Sequence, residues 1–302
     1  MGSRTRVRRI VAAALVPALA SAWLLSGCSN SLPADPFARA KAVNESRHVA
    51  ERFDEHPVVL DDVKGMSSLQ YFFTSSETLV VSDATVEAQL RAASIAIVAH
   101  APMIVYDPQR HQEIAQEVER LRTYTVLTVG DVALAQTSGR VRVYRDPGGM
   151  DALGTMTALR FAQRDVERPE DAAVAVASID PQDPVWLRAA WADPKVMPQA
   201  EARPFPILSR RDAQMAPVVV ATAESSIASI ANARSFGADV TMVDDPDPRN
   251  SEQALFAMAG LSQAPLVALG PQFGDERQLS TKIMQAEEFY LSKNADMSRL
   301  QH

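Results

Sequence analysis

Acidic residues at the predicted ends of two neighbouring strands form the pattern that points most directly to chemistry. Glu224 follows the apolar run "PVVVATA" (217–223), and the segment "VDDPDP" places Asp245 and Asp247 after the next run. Carboxylates at adjacent strand ends can hold Mg²⁺ through oxygen ligands. Glu224, Asp245 and Asp247 are therefore candidate metal ligands of a phosphoryl-transfer or hydrolytic enzyme, although the two interspersed prolines favour a solvated turn.

Two arginine clusters could bind anions. The segment "RVRVYR" contains Arg140, Arg142 and Arg145, and "SRRD" contains Arg210 and Arg211. Alternation along a strand predicts that Arg140 and Arg142 share one face and that Arg145 lies on the other. Guanidinium groups bind phosphate or carboxylate through forked hydrogen bonds, so these residues are candidate ligands of an anionic polymer. The alternative is a solvated strand edge that is paired with local acids.

Other catalytic patterns are missing from the sequence, which has no nucleophile elbow, no phosphate-binding glycine loop and no zinc-ligand spacing. The histidines are scattered along the chain, at His48, His56, His100, His111 and His302. We expect His100 to be a packing residue and His111 to lie on a helix surface. The sequence therefore predicts no cofactor and a protein that is not an enzyme.

The only cysteine, Cys28, follows a segment typical of an export signal. Residues 1–9 carry four arginines, and the run 10–25 is apolar except for one serine. This run is shorter than the roughly 20 residues of a spanning helix, which favours a signal peptide over residues 1–27. The segment "LSGC" resembles the lipobox of bacterial lipoproteins. The resemblance implies cleavage before Cys28, a diacylglycerol on its sulfur, and anchoring in the bilayer on the extracytoplasmic face of the cell membrane.

The chain that would remain after cleavage is acidic. Of the 30 basic residues four lie in the signal, which leaves 26 against 37 acids, a formal charge of 26 − 37 = −11. A negative charge of this size argues against nucleic acid as a partner. Arginine supplies 25 of the 30 basic residues, which indicates a GC-rich, actinobacterial genome.

The elements that must position these residues alternate along the chain. One helix is predicted over 37–53, after a short polar tether. Strands are predicted over nine apolar runs: 78–82, 102–107, 125–131, 140–146, 172–178, 204–209, 217–223, 239–245 and 265–270. Continuous runs of Val, Ile and Leu suit strands that are buried on both faces, and helical patterns separate several of them. This order predicts an α/β fold with largely parallel sheets.

The strands also suggest an internal repeat, for which two registers are possible. One register sets Val80 against Val174, 94 residues later, and matches "VLTVGDVAL" with "VVVATAESSI". The other sets Val80 against Val219 and matches "PMIVYDP" with "VTMVDDP". Because every βα unit resembles every other, repetition alone leaves both registers open.

The order of these motifs resembles cell wall-binding repeat 2 (CWB2) modules. The matching pieces are "AASIAIVAHAPMIVYD", "TVLTVGDVAL", "SGRVRVYRDPGGMDALGTMTA" and "VVVATAESSIASIANARSFGADVTMVDDPDPRNSEQAL". The resemblance implies two tandem βα modules of Toprim-like outline, at 69–165 and 166–264. A tether and helix at 28–68 would precede them, and a strand–helix segment at 265–302 could begin a truncated third module.

The resemblance further implies a non-catalytic function. The protein would be a membrane-anchored lipoprotein that interacts with the cell envelope, through an anionic wall polymer or as a scaffold for envelope proteins. A small-ligand-binding lipoprotein with its cleft at the carboxyl ends of the strands is one alternative. The metal-dependent enzyme built on Glu224, Asp245 and Asp247 is the other.

Overall fold

The computed structural model describes residues 35–135, 137–208 and 215–299. The helices in these ranges are α1 Pro36–Glu45, α2 Met66–Phe72, α3 Val86–Ala99, α4 His111–Arg120, α5 Met150–Thr157, α6 Ala172–Ala177, α7 Ile227–Phe236, α8 Glu252–Met258 and α9 Glu276–Arg299. The strands are β1 Pro57–Leu60, β2 Thr78–Ser82, β3 Met103–Val105, β4 Thr125–Val129, β5 Thr137–Ser138, β6 Val141–Arg145, β7 Ala162–Val166, β8 Val185–Ala189, β9 Val218–Ala221, β10 Val240–Met242 and β11 Leu266–Leu269. The predicted signal peptide, Cys28, Arg210, Arg211 and His302 lie outside the described residues.

Two sheets with the same parallel strand order carry the fold of the described chain. The first has the order β3-β2-β4-β6, with the short strand β5 antiparallel at its edge. The second has the order β10-β9-β11-β1, and all its strands are parallel. Strands β7 and β8 form a small parallel pair. The prediction of an α/β fold with largely parallel sheets is confirmed.

The second sheet is completed by the first strand of the described chain. Strand β1 pairs with β11 from Pro57–Leu266 to Leu60–Leu269, in the position that β6 occupies in the first sheet. The residues after the two strands also correspond, because "DVKGM" (62–66) follows β1 and "DPGGM" (146–150) follows β6. Each segment leads into a helix, α2 or α5. The two sheets are therefore built from equivalent units, one of which is assembled from both ends of the described chain.

This topology decides between the two repeat registers. The unit β2-α3-β3 corresponds to β9-α7-β10, so the register that matches Val80 with Val219 is confirmed. The register that matches Val80 with Val174 is wrong, since Val174 lies in helix α6. The module boundaries at 69–165 and 166–264 stay a prediction.

Two of the nine predicted strands are wrong. Residues 172–177 form α6, which buries Ala172, Ala173, Val176 and Ala177 and leaves Val174 exposed. A short apolar run fits a buried strand and a helix face equally well, and here the spacing of the buried positions is helical. No strand forms over residues 204–208, where two prolines remove ladder donors.

Other elements differ from the prediction in extent or were missed. The N-terminal helix ends at Glu45 instead of continuing to Phe53. Strands β1, β5, β7 and β8 were not predicted. Most of β7 is exposed and polar, so it has no apolar run that could indicate a strand.

Helix α3 lies at the centre of the fold and is buried on nearly every side. It packs against the first sheet, against α7 and against β8. This burial explains why every residue from Ala92 to Ala99 except Ser94 is apolar. Its first turn is capped by Thr85, and α7 is capped in the same way by Ser226. Within the described ranges, no helix combines the length and the apolar character needed to cross a bilayer.

Candidate functional site

The acidic segment after β10 forms the entry to helix α8. Asp245 Oδ1 accepts the backbone N–H of Asp247 at 2.8 Å, and Asp244 Oδ1 accepts the hydroxyl of Ser251, which caps α8. The carboxylate of Asp247 accepts Arg249 Nε at 2.9 Å, and this hydrogen bond holds the pKa of Asp247 below its ordinary value. Local hydrogen bonds thus occupy these carboxylates as in a polar turn.

Glu224 follows β9, as the sequence predicts, and its carboxylate is exposed. Across the described chain, no group of three or more His, Cys, Asp or Glu side chains is arranged to hold a metal ion. The metal-dependent enzyme on Glu224, Asp245 and Asp247 stays an untested alternative.

Replacing both Asp245 and Asp247 by asparagine is expected to change stability by less than about 1 kcal/mol, because the Asp247–Arg249 pair is partly exposed and asparagine retains the turn oxygens. We also expect Mg²⁺ or Mn²⁺ to leave the melting temperature of the wild type unchanged. A bound metal at 100 times its dissociation constant would add about 2.7 kcal/mol. Thermal unfolding with each metal and with a chelator measures both effects. A metal-dependent rise that the double variant loses would favour the enzyme.

The structure divides the predicted arginine cluster of β6 between two cavities. Arg142 and Arg145 line a cavity of about 320 Å³, and Arg140 lines a different, largely apolar cavity of about 700 Å³. Strand β6 begins at Val141, so Arg140 belongs to the turn before the strand. That Arg140 and Arg142 share a face stays a prediction, because Val143 lines both cavities and the linings do not separate the two faces of the strand.

A third arginine, Arg203, joins Arg142 and Arg145. Its guanidinium carbon lies 5.7 Å from the centre of the Tyr144 ring, and its Nη2 is 3.0 Å from a carboxylate oxygen of Glu201. Arg145 donates from Nη1 to the carbonyl oxygen of Pro198 at 3.0 Å, which ties the β6 end to the same loop. We call Arg142, Arg145 and Arg203 the arginine cluster.

The arginine cluster carries an excess of positive charge. Glu201 is the carboxylate that lines the cavity beside the three guanidinium groups. In the part of the chain that the structure describes, no carboxylate pairs with Arg142. The side chains of Arg203 and Glu201 are more than half exposed, so water screens their pair and the site stays accessible. The arrangement suits a multivalent anion that several forked donors can share.

Arg203 was missed by the sequence analysis. It lies in "EARPFP", 58 residues after Arg145, in a segment that lacks regular structure. No local pattern relates such a loop to a distant strand, so only the folded chain reveals this residue.

The described histidines take the places expected for structural residues. His100 ends α3 in the left-handed conformation, at φ 52°, and its Nδ1 lies 3.3 Å from the carbonyl oxygen of Ser235. His111 begins α4 and is exposed, as predicted for a helix surface. His48 and His56 are also exposed.

A further cavity, of about 500 Å³, lies where β1 and β11 end. It is lined by Val59, Asp61, Pro271, Gly274, Asp275, Glu276 and Arg277. Three carboxylates against one guanidinium make this cavity acidic. It lies at the carboxyl ends of two strands, where the small-ligand alternative places its cleft, and its charge would favour a cationic ligand.

Comparisons with known proteins give one distant similarity. No protein-family model matches the chain, and no curated protein matches it. Among solved structures, the chain is similar to Cwp6 from Clostridium difficile, with 15% sequence identity and a TM-score of 0.43. The alignment covers 76% of this chain and 48% of the Cwp6 chain, so it spans about half the length of that protein. The resemblance to CWB2 modules stays a hypothesis.

Proposed function

We propose that this protein is a non-catalytic lipoprotein that is anchored in the cell membrane through Cys28 and binds an anionic polymer of the cell envelope. The lipobox-like segment before Cys28 supports the anchor and the export of the folded part. The arginine cluster supports the ligand. A scaffold role toward an envelope protein is the outcome that we expect if no polymer binds.

The observation that carries the proposal is a local positive site on an acidic protein. Three arginines line a cavity of about 320 Å³ that has one carboxylate in its lining. Elsewhere the chain has a surplus of acids, which repels polyanions from the rest of the surface. A polymer with regularly spaced phosphates or carboxylates would therefore be attracted to the arginine cluster and to few other places.

The lining of the cavity combines positive charge with an aromatic ring, because Arg142, Arg145 and Arg203 line it together with Tyr144. The ring of Tyr144, which lies beside Arg203, adds a flat face on which a sugar could rest. These features are compatible with a glycan that carries anionic groups.

Co-sedimentation of the full chain with purified cell walls tests this function. The wild type is expected to pellet with walls that carry phosphate polymers, and less with walls from which these polymers have been extracted. Binding should weaken with added salt, because charges at exposed sites are screened over about 8 Å at physiological ionic strength.

Replacing Arg142, Arg145 and Arg203 together by alanine should lower the affinity for cell walls about tenfold to a hundredfold at low salt. The reason is that each charged hydrogen bond contributes roughly 1 to 3 kcal/mol before screening.

The matched control replaces three exposed arginines outside the cluster, Arg122, Arg140 and Arg168. It removes the same charge and should retain most of the binding. Equal loss in both triple variants would show that only the net charge matters. A folded wild type that ignores cell walls at every salt concentration would exclude polymer binding and favour a protein partner.

A further inference from the structure

A second cavity, separate from the arginine cluster, lies against the outer strands of the first sheet. It has a volume of about 700 Å³ and is formed by α4, by strands β4 and β6, and by the segment after β4. Its lining is mostly aliphatic and includes Ile114, Val118, Val126, Leu134, Val141 and Val143, with Thr123 and Tyr124 beside them. A volume of this size is in the range of cavities that enclose small organic ligands.

The rim of this cavity is positively charged. Arg122 and Arg140 both line it and are both exposed, and in the described part of the chain neither of them pairs with a carboxylate. His111 adds a ring nitrogen, and Glu119 is the one acid in the lining. The cavity therefore joins an aliphatic interior to two free guanidinium groups.

We infer that this cavity binds a single-chain amphiphile with a carboxylate head, such as a free fatty acid. The aliphatic side chains offer no hydrogen bonds, so the enclosed part of the ligand must be apolar. The two arginines at the rim favour an anionic head through charge-assisted hydrogen bonds.

This site can be tested apart from the proposed polymer site, although Val143 lines both cavities. Arg140 and Val141 line only the apolar cavity, whereas Arg142 lines only the cavity of the arginine cluster. Variants at neighbouring positions of one strand can therefore separate the two activities. The proposal goes beyond polymer binding and does not depend on it.

Displacement of a fluorescent fatty acid, cis-parinaric acid, tests the inference with the full chain. Its emission should rise on binding and fall again when decanoate or dodecanoate is added. Each added methylene is expected to raise the affinity about fourfold until the cavity is full. Decanol, which has the chain but lacks the charge, should compete at least tenfold more weakly. Glycerol phosphate, which has an anionic head without a chain, should not compete.

Substitutions in the cavity test whether the fatty acid binds there. Val141→Asp introduces a carboxylate into the apolar lining and should abolish displacement, and Val118→Asp serves as a second variant should the first fail to fold. Arg140→Ala should weaken decanoate about three- to tenfold and leave decanol unchanged. The matched control Arg142→Ala should leave both ligands unchanged. Failure of the wild type to bind the probe, or binding that survives both aspartate variants in folded protein, would overturn the proposal.

Discussion

Replacing Arg91 by alanine is expected to lower the free energy of unfolding by about 3 to 5 kcal/mol. Arg91 is the largest fully buried side chain of the described residues, and it forms an ion pair with the buried Asp146. Its Nη2 donates to Asp146 Oδ1 at 2.9 Å and to the carbonyl oxygen of Gly149 at 3.0 Å. Without Arg91, the carboxylate of Asp146 would stay buried without a countercharge, and that state is costly.

The position of Arg91 explains why the effect should be global. From the middle of α3, its guanidinium holds the loop between β6 and α5, and it lies 4.9 Å from the centre of the Trp186 ring on β8. One side chain thus joins the first sheet to the small β7–β8 pair. Since domains are stable by only about 5 to 15 kcal/mol, the variant would lose a large share of the total.

Urea unfolding of Arg91→Ala measures the loss, and a cycle of Arg91→Met, Asp146→Leu and the double variant that carries both measures the coupling. The double variant should be more stable than the sum of the single losses predicts, by at least about 2 kcal/mol, because it buries no unpaired charge. Arg168→Ala, which removes an exposed arginine, should change stability by less than about 0.5 kcal/mol. Additive losses in the double variant would contradict the assigned role of the ion pair.

Replacing Asn232 by alanine is expected to cost about 3 to 4 kcal/mol of unfolding free energy. Asn232 is fully buried in α7. Its Oδ1 accepts the backbone N–H of Met103 at 2.7 Å, and its Nδ2 donates to the carbonyl oxygens of Met103 and Gly65, both at 2.9 Å. The truncation would leave these buried backbone groups without partners.

The contacts of Asn232 close the free edge of the first sheet. Strand β3 is the last strand on that side, and the amide of Asn232 pairs with both the N–H and the carbonyl oxygen of Met103, as a neighbouring strand would. Gly65 lies against the same strand, where an added Cβ would be 2.8 Å from the Met103 oxygen and 2.7 Å from the Ala228 Cβ. This edge is therefore where α7 and the segment after β1 join the first sheet.

Equilibrium unfolding of Asn232→Ala, with Asn250→Ala as an exposed control, tests this prediction. The control should change stability by less than about 0.5 kcal/mol. Hydrogen exchange gives a second reading, because the Met103 amide should lose protection in Asn232→Ala relative to the amides of the central strand β2. An unchanged Met103 amide would contradict the assigned hydrogen bond.

Arg91 and Asn232 occupy equivalent positions in the two units. Each lies six residues after its helix cap, Thr85 for Arg91 and Ser226 for Asn232. Each also donates to the carbonyl oxygen of a glycine that begins a helix after the outermost parallel strand of its unit, Gly149 before α5 for Arg91 and Gly65 before α2 for Asn232. Both units therefore have a polar side chain that links the helix to this loop. The side chain is an arginine in one unit and an asparagine in the other.

The amino-acid sequence by itself determined the α/β class and most of the central strands. Strand β2 was predicted at its observed residues, and β4, β9 and β11 within one or two residues of each end. These strands are buried on both faces, so each requires an uninterrupted apolar run that can be read locally. The helical patterns predicted between the strands correspond to helices such as α3 and α4 for a similar reason, since 3.6-residue periodicity is a property of the chain segment alone.

Only the tertiary structure decided which distant segments belong together. The run at 172–177 became a helix because one of its faces packs on the core, which no local pattern distinguishes from a buried strand. Strand β1 pairs with β11, more than 200 residues later, and this pairing depends on the approach of two chain segments. The candidate site has the same origin: Arg142 and Arg145 are near in sequence, but Arg203 joins them only when its loop folds against β6. The local sequence pattern shows which side of a helix or strand is apolar. Which other element packs against that side depends on tertiary contacts, and these require the whole folded chain.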